Sequence, residues 1–398
     1  MKKIFTLLFL IVFSACDSGD DFSLDAVRVS SFEGGHRYMI GPTTVLDLHG
    51  DYHQMGRQYG MLMKDDLREL YNLAINERFI GQESFTYERL QQISQKIYSV
   101  YPEPYKALLL GMSETSGMTL EEQIMLNSIE MVPKYDYFVP HCSGIAVWDE
   151  YTNGGPLIFG RNNDDEAYFR EFAPYTIVAV FHPADSGQPT AIINYAGVLY
   201  APTGMNREGL FVELNSGNVE WIYPDRPLIF LTMWSILENY STLSGQQPAF
   251  FAIRGDATLS SIVNVADSRE ALSYEISAFR EKTDDVKIRG QDQKGLLVAS
   301  NHFVDPSWEI SPLDPADEEK NAWTITRRNN LLALAQQYKG AFTEEMMMKV
   351  LDTTIADGGA TQPHETIYQV IAIPEKRTLW LKAPGNFPWQ RIDLNLFF

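Results

Sequence analysis

The chain is predicted to be an α+β protein in which two β-sheets lie between helical layers, preceded by a helical segment. Three observations predict this. Helical periodicity dominates from about Tyr52 to Met131. From Cys142 onward the pattern changes to short strand-like runs. The later order of strands, helices, strands, helices, strands suits two stacked sheets with helices outside them. With 398 residues, 45% of them hydrophobic, the chain can bury a large core.

The elements follow in order. Lys2 and Lys3 precede an apolar run from Ile4 to Phe13 that closes with Phe13-Ser-Ala-Cys16. Residues 1–15 therefore read as a secretory signal with a lipobox-like end, and Cys16 as the lipidation site. This predicts an exported lipoprotein anchored to a bacterial membrane through Cys16, on the periplasmic or the cell-surface face. Residues 16–35 are polar and glycine-containing, a tether. Residues 36–141 form the helical segment. Within it Met55, Tyr59, Met63, Leu67 and Leu70 recur near i, i+4, and Thr119 with Glu122 makes a capping-box pair. Residues 142–398 form the main body. Strands are predicted at 143–148, 156–160, 175–181, 190–195 and 209–214, then at 258–265, 272–277 and 295–299, and finally at 366–373 and 377–382. Helices are predicted at 225–241, 244–252, 323–337 and 343–352. Met346, Met347 and Met348 fall in the last helix as core filler.

Composition narrows the function. The formal net charge is −20, which disfavours nucleic-acid binding, since that depends on neutralising phosphates. His49 and His53 are spaced i, i+4, but Gly50 intervenes and no further ligands cluster nearby in sequence, so no metal is expected. There is no Gly-x-Ser-x-Gly elbow and no phosphate-binding glycine loop. No cofactor is expected.

Only two cysteines occur. With Cys16 assigned to lipidation, Cys142 is the one free thiol of an exported protein, and a lone thiol there points to nucleophilic chemistry. Cys142-Ser-Gly-Ile-Ala-Val-Trp148 is a β-type run. It is followed by a Gly-Gly-Pro turn at residues 154–156 and by Pro156-Leu-Ile-Phe-Gly-Arg-Asn-Asn-Asp-Asp165. This is a hairpin that returns Arg161 and Asp164 to the thiol. Asn215 and Asn301 each end a strand-like run, and Arg327, beside Arg328, lies near a helix start.

These motifs resemble the cysteine N-terminal-nucleophile hydrolases: choloylglycine hydrolases, penicillin V acylases, acid ceramidase and, above all, the acyl-coenzyme A:isopenicillin N acyltransferase group. The resemblance runs through nearly the whole mature chain. Ahead of the thiol it is carried by Leu48-His-Gly-Asp-Tyr-His-Gln-Met-Gly-Arg-Gln-Tyr-Gly60, by Leu109 to Glu122, and by Asn127 and Glu130. From Cys142-Ser-Gly it continues through Gly160-Arg-Asn-Asn-Asp164, Gly204-Met-Asn-Arg-Glu-Gly-Leu210 and Leu214-Asn215. The Tyr368–Leu381 stretch and Gly385-Asn-Phe-Pro-Trp389 are also similar to that group. The resemblance implies a four-layer αββα sandwich and a precursor that cuts itself before Cys142, after His141. The released α-amino group of Cys142 would be the base for its own thiol. Arg161 would favour the thiolate and Asp164 would orient the α-amino group. Asn215 would donate to the oxyanion, and Asn301 would bind the intermediate. Arg327, or alternatively Arg328, would balance charge. The 141 residues ahead of the cysteine set the chain apart from choloylglycine hydrolases, which carry almost none.

The implied activity is cleavage of a non-peptide or N-acyl amide in a small molecule through an acyl-cysteine. An acyltransferase passing the acyl group to an amine is the alternative. Coenzyme A thioesters are not expected outside the cytoplasm, so export favours hydrolysis or amide-to-amine exchange. A non-catalytic ligand-binding lipoprotein is the third reading, and the retained site residues argue against it.

Overall fold

A computed structural model describes residues 25–135, 142–185, 187–217, 222–223, 226–278, 285–308 and 318–398, with the side chains of 318–322 excluded. The leader, Cys16, His141 and the peptide bond before Cys142 lie outside the described residues.

The body consists of two sheets. The larger has ten strands: β1 (Val27–Phe32), β2 (Gly35–Ile40), β3 (Thr43–Gly50), β6 (Thr176–Pro183), β7 (Thr190–Tyr195), β8 (Thr203–Asn206), β9 (Phe211–Ser216), β10 (Ser261–Ala266), β11 (Ala271–Ile276) and β12 (Val286–Arg289), hydrogen-bonded in that order. The smaller has six, in the order β13 (Leu296–Ala299), β4 (Ser143–Val147), β5 (Ile158–Asp164), β14 (Thr366–Ile373), β15 (Thr378–Ala383) and β16 (Phe387–Asp393). The sheets face one another, with β4 against β9 and β13 against β11. Outside the larger sheet pack α1 (Tyr52–Leu62), α6 (Ile229–Asn239) and α7 (Leu243–Ala252). Outside the smaller pack α8 (Glu318–Gln337) and α9 (Glu344–Asp352). This is the αββα layering expected from the sequence.

Side-chain alternation explains how the smaller sheet separates two environments. Ile145, Val147 and Ile158 join Met347, Val350 and Leu351 in the core beneath α9, while Ala146 and Phe159 join the core between the sheets. Met347 is fully buried there, and Met346 and Met348 pack partly against it, as expected of filler.

The segment ahead of Cys142 departs from expectation at its start. The tether was predicted to run to residue 35 and the helical segment to begin at 36. Instead β1, β2 and β3 form a meander that enters the larger sheet. β1 is an edge strand with Val27 and Val29 exposed, so it lacks the buried alternation that marks a strand in sequence. Among the described residues, every pairing between two named strands from β4 on is antiparallel, whereas β3 joins β6 in parallel. Helices follow β3: α1, α2 (Lys64–Tyr71), a π-helical stretch (Asn72–Ile80), α3 (Tyr87–Ser99), α4 (Glu103–Ser116) and α5 (Leu120–Asn127). Met55, Tyr59, Met63, Leu67 and Leu70 are all buried, and Thr119 and Glu122 cap α5 reciprocally. α1 and α4 approach closely because glycine lines the contact. A Cβ on Gly56 would fall 2.1 Å from the Leu108 carbonyl oxygen, and one on Gly111 would fall 2.2 Å from that of His53.

Besides the N-terminal meander, three further strands, β8, β12 and β16, lie outside the predicted runs. β8 is four residues long and carries Gly204, so it reads as a turn. No helix among the described residues is long and apolar enough to cross a membrane.

Candidate active site

The β4–β5 hairpin pairs Ser143 with Asn162 and Gly144 with Arg161. Cys142 therefore stands one residue ahead of the ladder, at the open end where Asn163 and Asp164 project. Arg161 and Asn163 alternate toward the space between the sheets, and Asp164 turns toward α8. The thiol meets the first group and the Cys142 backbone meets the second. Sγ lies 3.7 Å from Arg161 Nη2, 3.8 Å from Asn163 Oδ1 and 3.6 Å from the Asp164 carbonyl oxygen. The Cys142 N–H donates to the Asp164 carboxylate, and Arg327 Nη1 donates to the Cys142 carbonyl at 2.6 Å.

Arg161 crosses to the other sheet. Its Nη1 pairs with the Glu213 carboxylate and donates to the Leu214 carbonyl at 2.8 Å, while Nη2 donates to Asn163 Oδ1 at 2.7 Å. Gly144 makes room for this pair, since a Cβ there would lie 2.5 Å from Glu213 Oε1. Asn264 also donates to Glu213. Asp164 accepts from Thr366 Oγ1 at 2.6 Å and lies 3.4 Å from Arg327 Nη1. Arg327 Nη2 donates to Asn301 Oδ1, and Asn301 Nδ2 donates to the Ser216 carbonyl at 2.7 Å. Arg161, Asp164, Glu213 and Arg327 are essentially solvent-free. The two cations and two carboxylates balance, which is what lets four charges occupy a buried site.

The structure thus brings Arg161, Asp164, Asn301 and Arg327 into one network around Cys142, with Asn301 joined to it through Arg327. Arg328 turns away to Asp292. Arg327 lies well inside α8, not near its start as the sequence suggested, because that helix begins at Glu318. Asn215 sits on β9 between Leu214 and Ser216, whose carbonyls hold Arg161 and Asn301. It shares its strand face with Glu213 and is fully buried, yet neither polar atom of its amide has a hydrogen-bond partner. A buried amide left unsatisfied is uncommon, and no hydrogen bond joins this one to Cys142 or to the groups around it.

Sequence reasoning missed Asn163, Glu213 and Thr366. Glu213 did leave a signal, as a charge inside the strand-like run Gly209-Leu-Phe-Val-Glu-Leu-Asn215. Arg161 acts on the thiol in the expected direction, favouring the thiolate, but burial outweighs it. Burial pushes the Cys142 thiol up to about 12, and Arg161 offsets this only in part. Burial likewise raises Asp164 against the pull of Arg327, and raises Glu213 against that of Arg161.

Above the sulfur is a cavity of about 40 Å³ whose lining includes Glu130, Lys134, Asp165, Phe230 and Leu259. Lys134 pairs with Asp165 at 2.8 Å. Burial, with Asp165 nearby, lifts Glu130 to about 7.

No family model matches the chain. It is similar to protein dcd1B of Dictyostelium discoideum, 22% identical over 213 residues, which is 47% of this chain and 41% of that protein. The chain therefore matches less than half the length of that relative. Among solved structures it is similar to an N-acylethanolamine-hydrolyzing acid amidase ortholog of Caenorhabditis elegans, with a TM-score of 0.44 and 19% identity over 58% of this chain and 93% of that one. It is similar to the conjugated bile acid hydrolase of Clostridium perfringens at TM-score 0.42 and 14% identity, covering 64% and 93%. It is also similar to penicillin V acylase of Agrobacterium tumefaciens at 0.43 and 13%, covering 64% and 86%.

Proposed function

We propose that the chain is a self-processing cysteine amidohydrolase that cleaves an N-acyl or other non-peptide amide through an acyl-cysteine. The observation that carries this is the placement of Cys142. It heads a strand, with its N–H on Asp164, its carbonyl on Arg327 and its sulfur beside Arg161. Its φ is +89°, a conformation that costs a non-glycine residue on the order of 1–3 kcal/mol. That torsion exists only while a residue precedes Cys142. Cutting the bond abolishes it, so the strain favours scission.

In the uncut chain Sγ would attack the His141 carbonyl carbon. The C–N bond breaks as the nitrogen takes up a proton, and water then hydrolyses the thioester to a carboxylate and a free thiol. The new amine is already next to Asp164. An α-amino group titrates near 7.7–8.0, so it can accept the thiol proton at neutral pH. The thiolate then attacks the substrate carbonyl, and Asn215 Nδ2 donates to the oxyanion. The α-ammonium returns the proton to the leaving amine, and water releases the acyl group from sulfur. Burial of the thiol works against both attacks, and Arg161 beside Sγ is the group that offsets it in part.

Two measurements on the purified protein test this. N-terminal sequencing of the larger fragment is expected to begin at Cys142. A panel of N-acyl amides, including bile-salt conjugates and penicillin V, is expected to contain a substrate hydrolysed to acid and amine. A fragment beginning elsewhere removes the α-amino base from the mechanism. A correctly cut protein that hydrolyses none of the panel overturns the activity.

A further inference from the structure

The parallel ladder between β3 and β6 sets His49 directly beside His182. Asp47 precedes His49 by two residues and so shares its face of the strand. The imidazoles stack with centroids 4.1 Å apart and planes 16° from parallel. Both present Nε2 to the same Asp47 oxygen, at 2.8 Å from His49 and 3.0 Å from His182. One ligand atom from each of the three residues lies within 4.8 Å of the others. The side chains of Asp47 and His182 are 13% and 16% exposed, and that of His49 is 45% exposed.

A simple ion pair accounts poorly for this arrangement. Two stacked imidazolium ions would repel one another, and a single carboxylate neutralises only one of them. One carboxylate oxygen thus serves two ring nitrogens at once, at 2.8 and 3.0 Å. With both rings neutral, two nitrogen lone pairs and a carboxylate converge on one point, an electron-rich corner that a cation would complete. Gln58 fixes the backbone at His49, accepting from its N–H at 2.9 Å and donating to its carbonyl at 2.7 Å. His53, the neighbour that sequence spacing offered, is engaged with Glu114 instead.

We propose that Asp47, His49 and His182 bind a divalent transition metal of the zinc type, with a further coordination position open on the exposed His49 side. Imidazole and carboxylate are suitable donors, and three protein ligands plus solvent is a recurring zinc arrangement. Two ligands come from before Cys142 and one from after it, so the ion would pin the N-terminal meander to the body of the larger sheet.

The test is titration of the full chain with Zn²⁺ by calorimetry and with Co²⁺ by visible absorption. One equivalent is expected to bind, with cobalt bands typical of low coordination number and a rise in Tm that a chelator reverses. His182→Ala and His49→Ala should weaken binding by more than the roughly 10–100-fold that outer-shell partners cost. His53→Ala and Cys142→Ala should bind as the parent does. His49→Ala is the substitution that disturbs packing least, so it keeps the test valid if His182→Ala fails to fold. Absence of stoichiometric binding by the parent, unchanged affinity in His49→Ala, or loss of the cobalt signal in Cys142→Ala would each overturn the site.

Discussion

Cys142→Ala is expected to remain a single uncut chain and to lose amide hydrolysis by roughly 10⁵–10⁶-fold, the scale seen when a catalytic nucleophile is removed. The alanine keeps the buried volume nearly unchanged, so the variant should fold. Its chain length on a denaturing gel then reports scission, and its turnover reports catalysis. Cys142→Ser separates the two steps. A hydroxyl can still attack the preceding carbonyl, so slow cutting is expected. The hydroxyl is much the weaker nucleophile, so the cut serine form should hydrolyse amides poorly. Full activity in an uncut Cys142→Ala chain would refute both the nucleophile and the base.

The second large effect is on stability. Glu213→Ala should destabilise the protein by about 3–5 kcal/mol, because it strands the buried Arg161 guanidinium without its carboxylate. Glu213→Gln keeps the shape and one acceptor, and should lose less. Both are read from urea unfolding midpoints at constant m. Activity should fall with stability in the alanine variant, since Arg161 is also the cation beside Sγ. A loss under about 1 kcal/mol, the worth of an exposed pair, would mean that the interior here is wetter than its burial indicates.

The hairpin carrying Cys142, Arg161 and Asp164 was readable from sequence because its pieces are local: a β-type run, a glycine-proline turn, and a return run ending in polar residues. Asn301 and Arg327 were placed through motif resemblance, since nothing nearby in sequence ties them to the thiol. Asn163 was hidden among polar neighbours, and only strand alternation separates it from Asn162, whose amide turns instead to Ser143 and Gln369. Glu213 pairs with a residue 52 positions away in the other sheet, and no periodicity encodes such a partner. The N-terminal meander was misread for a different reason. An exposed edge strand such as Val27–Phe32 has no buried face to impose alternation. The Asp47, His49 and His182 cluster shows the same limit, because only the parallel register of β3 and β6 unites it.

That register has a consequence for how the molecule can be made and unmade. β3 lies between β2 and β6, so the strand contributed by the first part of the chain is interior to the ten-stranded sheet. On our proposal the bond before Cys142 is cut only after this sheet has closed. The precursor folds as one molecule, at a rate independent of concentration. The mature protein comes apart into two, and reassembly becomes a second-order encounter between fragments that each expose an unpaired strand. Refolding yield of the uncut Cys142→Ala chain should be insensitive to dilution, while that of the cut protein should drop steeply with it. Equal yields at every dilution would mean the fragments stay joined when unfolded. Otherwise the lifetime of the mature form is set by how slowly it opens, because reassembly at low concentration is too slow to restore it.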